Sequence, residues 1–206
     1  MIYLILTASL LNRFGPNEER EARYHMALTE TLSHLPASII PVLVENNGKR
    51  STMLDHYVHD GNRIPVVYTD TNRNPPREKG MNEFIDLKEV IQLVGIQDTD
   101  IVIKVTGRYR VMNASFFTQV IQEADAHDVW MKFYGAYHLR WDPYDCILGC
   151  YAMRAMYLSW FPLSMIRTSA EVAFATYVRR TLPRIQEIQT LGVECCFGED
   201  GRILCV

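Results

Sequence analysis

Cationic side chains follow directly on an apolar run in Ile101-Val102-Ile103-Lys104-Val105-Thr106-Gly107-Arg108-Tyr109-Arg110. Groups of that charge make strong, charge-assisted bonds to a diphosphate. Gly107 lets a ligand approach the backbone closely. Upstream stand Arg73, Arg77 and Lys79, with Lys79 and Gly80 opening a helical pattern whose N-terminus would also attract an anion. The bland reading of the same residues is a surface basic cluster balanced by Glu83, Asp98 and Asp100.

Three other apolar runs also end in small or polar residues. They deliver Thr7-Ala8-Ser9, Glu45-Asn46-Asn47 and Thr69-Asp70-Thr71-Asn72. Any one of these sets is explained by the needs of a turn. Four sets brought to one rim would instead suit a sugar, a base or a phosphate, because ligands of open α/β sheets bind beyond the carboxyl ends of the strands.

The elements that must position these sets read as an alternation. Ile2–Leu6, Ile39–Val44, Val66–Tyr68, Ile101–Ile103 and Val129–Tyr134 are short apolar runs, expected as strands buried on both faces. Helical spacing marks Asn17–Leu35, with acidic residues at its start, a segment from Lys79 to Val94, and Phe116–Ala124. Ser51 is expected to cap a short helix carrying Leu54, Tyr57 and Val58. Cys146–Ala152, Ile188–Cys196 and Ile203–Val206 read as extended, and Thr168–Leu182 as a helix. The expected class is α/β, with a central, mostly parallel sheet flanked by helices in a single domain, residues 1–206, which could belong to a longer protein.

Composition narrows the classes further. The 206 residues carry 21 Lys and Arg against 24 Asp and Glu, for a net charge of -3, so no nucleic-acid partner is expected. No segment reaches the about 20 apolar residues of a membrane span. Five cysteines without C-x-x-C spacing fit buried free thiols in a reducing, cytoplasmic setting. The P-loop, the G-x-G-x-x-G fingerprint, H-E-x-x-H and G-x-S-x-G are all absent. His56 and His59, three apart on the expected short helix, are better explained as a solvated face than as a metal pair.

Lys104-x-Thr106-Gly107-Arg108-Tyr109 after an apolar strand, preceded by Lys79-Gly80-x-Asn82-Glu83, resembles the nucleotide-sugar glycosyltransferases of GT-A fold. It is most similar to the small capsid-glycan glycosyltransferase domains of chloroviruses, over the stretch from the first strand to the Glu171 helix. The resemblance implies hexosyl transfer from a nucleoside diphosphate sugar, with UDP favoured, to a glycan or glycoprotein acceptor in the host cytoplasm. It places Thr7-Ala8-Ser9 and Glu45-Asn46-Asn47 at the uridine and ribose; Lys79, Lys104 and Arg108 are the expected diphosphate contacts, with Arg77, Asn82, Thr106 and Gly107 as further donor-binding candidates.

The chain departs from that family at the metal. GT-A enzymes usually carry Asp-x-Asp after the fourth strand, where a divalent cation, Mn²⁺ or Mg²⁺, neutralises the leaving group. Asp98-Thr99-Asp100 has the spelling but precedes its strand, which puts it at the wrong end of the sheet. Two arrangements stay open: Lys79, Lys104 and Arg108 replace the cation, or a carboxylate from another strand, such as Asp70, binds it.

An inverting transfer also needs a carboxylate to deprotonate the acceptor. Asp142, in Trp141-Asp142-Pro143-Tyr144-Asp145, is the first candidate, with Trp141 and Tyr144 able to pack on sugar faces. Its competing explanation is an Asp-Pro turn. Glu171 is the second, set against a capping box with Thr168. A non-catalytic nucleotide- or glycan-binding module is the alternative function, and a nucleotidyltransferase is a third.

Overall fold

A computed structural model of the chain describes residues 1–10, 18–48, 50–73, 79–167, 169–196 and 202–206. In chain order the strands are β1 (Ile2–Ala8), β2 (Ile40–Glu45), β3 (Val58–His59), β4 (Asn62–Arg63), β5 (Val66–Tyr68), β6 (Ile101–Thr106), β7 (Arg110–Val111), β8 (Val129–Met131), β9 (Cys150–Arg154), β10 (Ile185–Glu187), β11 (Val193–Cys196) and β12 (Ile203–Cys205). The helices are α1 (Glu18–Ser33), α2 (Lys79–Val94), α3 (Ser115–Gln122), α4 (Ala155–Trp160) and α5 (Ala170–Thr181).

Seven strands form one sheet in the order β10-β8-β9-β6-β1-β2-β5. β1 pairs in parallel with β2 and β6, β2 with β5, and β8 with β10, while β9 runs antiparallel to both β6 and β8. The sheet is therefore mostly parallel and covered on both sides, as strands without polar alternation require. Along β1, Tyr3 and Ile5 enter one core with Phe84, Leu87, Phe161 and Phe174 from α2, the segment after α4, and α5. Leu4 and Leu6 enter the other, with Tyr24 and Leu28 of α1 and Phe116 and Phe117 of α3.

Register aligns the strand ends. Thr7 lies opposite Thr106, and Ala8 opposite Glu45. β8 ends and β9 begins at this same rim, so the connection between them, which carries Asp142 and Asp145, belongs to the rim side as well.

Several local expectations are corrected. The strand expected over Cys146–Ala152 is β9, four residues later, and it runs against its neighbours. Thr52, not Ser51, caps a 3₁₀ turn at Met53–His56, with Asp55 completing its capping box. His59 sits on the β3–β4 hairpin, so His56 and His59 share no helix face. α5 is capped by Ser169, whose hydroxyl accepts from the Val172 amide, which moves Glu171 out of the capping-box position. All five cysteines are free; Cys146, Cys150 and Cys195 are buried, whereas Cys205 is exposed. Among the described residues no helix is long and apolar enough to cross a membrane.

Candidate active site

Lys104 and Arg108 leave the same strand with opposite fates. Lys104 points into the core beneath α2 and is fully buried. Its ammonium meets Glu83 Oε1 at 2.6 Å, Thr106 Oγ1 at 2.7 Å and the Leu148 carbonyl at 3.1 Å. The Thr7 hydroxyl donates to the same Glu83 oxygen at 2.6 Å, and Thr106 does so at 3.2 Å. Burial opposes charge on Glu83, but the Lys104 ammonium, the Thr7 hydroxyl and the Arg108 charge hold its carboxyl below the usual range. Lys104 is thus an internal counter-charge rather than a side chain free to reach a phosphate.

Arg108 stands above this pair, half-buried. One guanidinium nitrogen donates to the Tyr24 hydroxyl at 3.1 Å, and the group lies 5.9 Å from the centre of the Tyr24 ring. Its Nε is buried with no hydrogen-bond partner, and among the described residues no carboxylate lies within ion-pair distance. A buried donor left unmade is costly, so this geometry fits an incoming anion.

Gly107 serves packing here rather than ligand approach. A Cβ at this position would come within 3.0 Å of both the Thr7 carbonyl and the Tyr24 ring, and the Gly107 amide donates to that carbonyl at 2.8 Å. Tyr24 also accepts from the Ser9 amide at 3.1 Å, which links the end of β1 to Arg108.

A second polar network joins the ends of β1, β2 and β5. Asp86 of α2, fully buried, accepts from Asn46 at 2.9 Å, Thr69 at 2.6 Å and Thr71 at 2.7 Å. Burial raises its pKa against the pull of those donors. Asn72 donates to Ser9 Oγ and to Asn46 Oδ1, each at 2.8 Å, and accepts from Asn82 at 3.3 Å. Glu45, also fully buried, accepts from the Leu10 and Asn47 amides, and burial pushes its carboxyl up to about 7. Thr7, Ser9, Asn46, Asn82, Thr106 and Arg108 are therefore brought to one rim, and Ala8 is buried in the strand end beside them.

Arg77 lies outside the described residues. Lys79 opens α2 as expected, at the rim. Asp70 is exposed and paired with Arg50 at 3.1 Å. Asp100 sits at the start of β6, where it accepts from the Gln97 amide, so the Asp98-Thr99-Asp100 spelling stands at the far end of the sheet.

The carboxylates gather at the other side of the rim. Asp145, half-buried, accepts from the Cys146 amide at 2.8 Å. Burial, with Glu171 and Asp142 nearby, pushes its carboxyl up to about 6. Cys146 donates its thiol to the Glu171 carbonyl at 3.4 Å, which ties this loop to the first turn of α5. Asp142 accepts from the Tyr144 amide at 2.9 Å, the turn its Asp-Pro spelling implied, and the exposed Glu171 accepts from the Ser169 hydroxyl at 2.8 Å. Trp141, Tyr144 and Tyr137 are exposed beside them, and the Trp141 indole donates to Glu187.

This sheet order, with its polar rim at the carboxyl ends of the strands, gives the architecture a name. The fold is GT-A-like. No protein-family model and no curated protein sequence matches the chain. Solved structures do, at low identity. S. aureus TarS residues 1–349 superimposes with a TM-score of 0.58 and 14% identity, over 91% of this chain and 57% of that one. The mannosyltransferase PcManGT from Pyrobaculum calidifontis, in complex with GDP-Man and Mn²⁺, gives 0.63 and 11%, over 97% and 58%. A 4-diphosphocytidyl-2C-methyl-D-erythritol synthase gives 0.54 and 9%, over 90% and 87%. The chain thus spans less than two thirds of TarS and of PcManGT, and the GT-A-like fold carries more than one nucleotide chemistry.

Glu83 is legible in the sequence as a counter-charge to the basic cluster, whereas three other groups of this site are hidden. Asp86 is a polar residue within the apolar pattern of α2, and that interruption is the available signal. Tyr24 reads as a core aromatic, and Asp145 as part of a turn.

Proposed function

We propose that the chain is a glycosyltransferase that moves a sugar from a nucleoside diphosphate donor, UDP-sugar favoured, to a hydroxyl of a glycan or glycoprotein. The observation that carries this reading is the Arg108 guanidinium, which among the described residues has no carboxylate at ion-pair distance and an orphaned Nε, at the carboxyl rim of a GT-A-like sheet. Its place suits the donor diphosphate. Ser9, Asn46 and Asn82, organised by Asp86 and Glu45, offer small polar groups for the nucleoside. Thr106 and Lys104 hold Glu83 beside this strand exit, and the N-terminus of α2, which Lys79 opens, would add to the anion site. The similarity to PcManGT, whose structure holds GDP-Man, supports a sugar-nucleotide donor.

The acceptor hydroxyl would enter from the side of Asp142, Asp145 and Glu171, where the exposed Tyr137, Trp141 and Tyr144 rings can stack on sugar faces. Its proton passes to this carboxylate group as its oxygen bonds to the donor's anomeric carbon. The bond from that carbon to the phosphate oxygen breaks, and the nucleoside diphosphate leaves. Asp142 and Glu171 are the candidate bases. Asp145 lies beside them, its own carboxyl raised by burial and by the nearby Glu171 and Asp142 charges.

The test is release of UDP from a panel of UDP-sugars with and without glycan acceptors. Acceptor-dependent UDP release is the expected result, reduced at least about 100-fold in Glu171→Gln or Asp142→Asn, whichever is the base. Binding without turnover in any mixture would return the chain to a binding module, and pyrophosphate release from a nucleoside triphosphate would make it a nucleotidyltransferase.

A further inference from the structure

The carboxylates at the nucleotide side of the rim are already committed. Glu83 Oε1 is held by the Lys104 ammonium and two threonine hydroxyls. Asp86 holds Asn46, Thr69 and Thr71. The oxygens of Glu45 take the Leu10 and Asn47 amides. Asp70 faces outward, paired with Arg50.

Mg²⁺ and Mn²⁺ demand several oxygen ligands, usually one or two of them carboxylates, in a near-octahedral shell. Among the described residues no group of three or more His, Cys, Asp or Glu could hold such an ion. The position after β6, from which the usual Asp-x-Asp would act, presents Thr106, Gly107 and Arg108, with the Lys104 ammonium directly below. A dication there would meet two fixed positive charges and would have to displace a charge-assisted network. The donor set fits an anion and does not fit a metal.

We infer that this site binds its nucleoside diphosphate, and stabilises its departure, without a divalent cation, the negative charge being met directly by Arg108 over the Lys104–Glu83 pair. The inference rests on the transferase reading and deepens it. Arg108 is well placed for the task. A guanidinium matches phosphate oxygens with its planar fork of donors, and the Tyr24 ring and hydroxyl fix its plane. Lys104 cancels the Glu83 charge that would otherwise repel the diphosphate.

The experiment is calorimetric titration of the whole chain with UDP and with GDP, once in EDTA and once in Mn²⁺. Affinity in EDTA is expected to match that in Mn²⁺ within about twofold, and Arg108→Gln is expected to lose at least about tenfold in both buffers. Arg108→Lys, which keeps the charge and loses the fork, should fall between the two, and a melting curve for each variant guards against misfolding. Binding seen only with Mn²⁺ overturns the inference and leaves the transferase reading standing. Unchanged affinity in a folded Arg108→Gln overturns it as well. Absence of binding by either nucleotide in both buffers overturns the reading together with the inference.

Discussion

At the scale of single residues, the two cations of β6 show how little a side chain's type says about its task. Lys104 and Arg108 are four residues apart on one strand and its exit, yet one is sealed and the other half-open. Lys104 is held by Glu83, Thr106 and a carbonyl, so its removal leaves Glu83 with an uncompensated charge. Breaking a buried pair from one side costs more than the pair itself contributes. Lys104→Met is therefore expected to destabilise the fold by roughly 3 kcal/mol, read from denaturant unfolding, with part of the loss recovered in the Lys104→Met, Glu83→Gln double variant. A single variant as stable as the parent would mean that Glu83 finds other compensation.

At the scale of elements, the rim depends on how closely α2 approaches α5. A Cβ at Gly80 would lie 2.2 Å from the Cβ of Ala170, so the two helix starts touch only because position 80 has no side chain. That contact sets the N-terminal half of α2, with Asn82, Glu83 and Asp86, against the first turn of α5, with Glu171. The helices thereby hold the nucleotide side and the carboxylate side together. Gly80→Ala should cost about 1–3 kcal/mol through overpacking. If the transferase reading holds, it should also lower turnover more than donor affinity, measured by comparing kcat with the UDP titration. An unshifted melting temperature would show that the helices part without strain.

At the scale of the whole molecule, buried carboxylates make stability depend on pH. Glu45 titrates at about 7 in the folded chain against an ordinary 4.5, because burial outweighs the amides and the Arg20 charge that favour its ionised form. The folded state therefore binds this proton more tightly than the unfolded chain does. Its contribution is full below the ordinary value and is lost as pH rises through about 7. The stability of the parent relative to Glu45→Gln should fall by roughly 2–3 kcal/mol between about pH 5 and about pH 8. A flat difference would mean that Glu45 stays ionised throughout. Asp55, Asp128, Glu83 and Glu194, all held below their usual ranges, act in the opposite direction, so the comparison with the variant is needed to isolate Glu45.

The sequence by itself determined the layers and most of the rim. Apolar runs without alternation demand a sheet covered on both faces, and polar residues at the ends of four such runs mark where a ligand can sit. Ser9, Asn46, Thr106 and Arg108 were legible for that reason, and Asn82 only through the family resemblance. Only the tertiary structure decided which charges neutralise one another. The antiparallel entry of β9 beside β6 set the Leu148 carbonyl over Lys104, and the packing of α2 on the sheet delivered Glu83 and Asp86 to their partners. Such pairings join elements distant in the chain through contacts of a few ångströms. Local pattern carries burial and direction along one element, but not the distance between two.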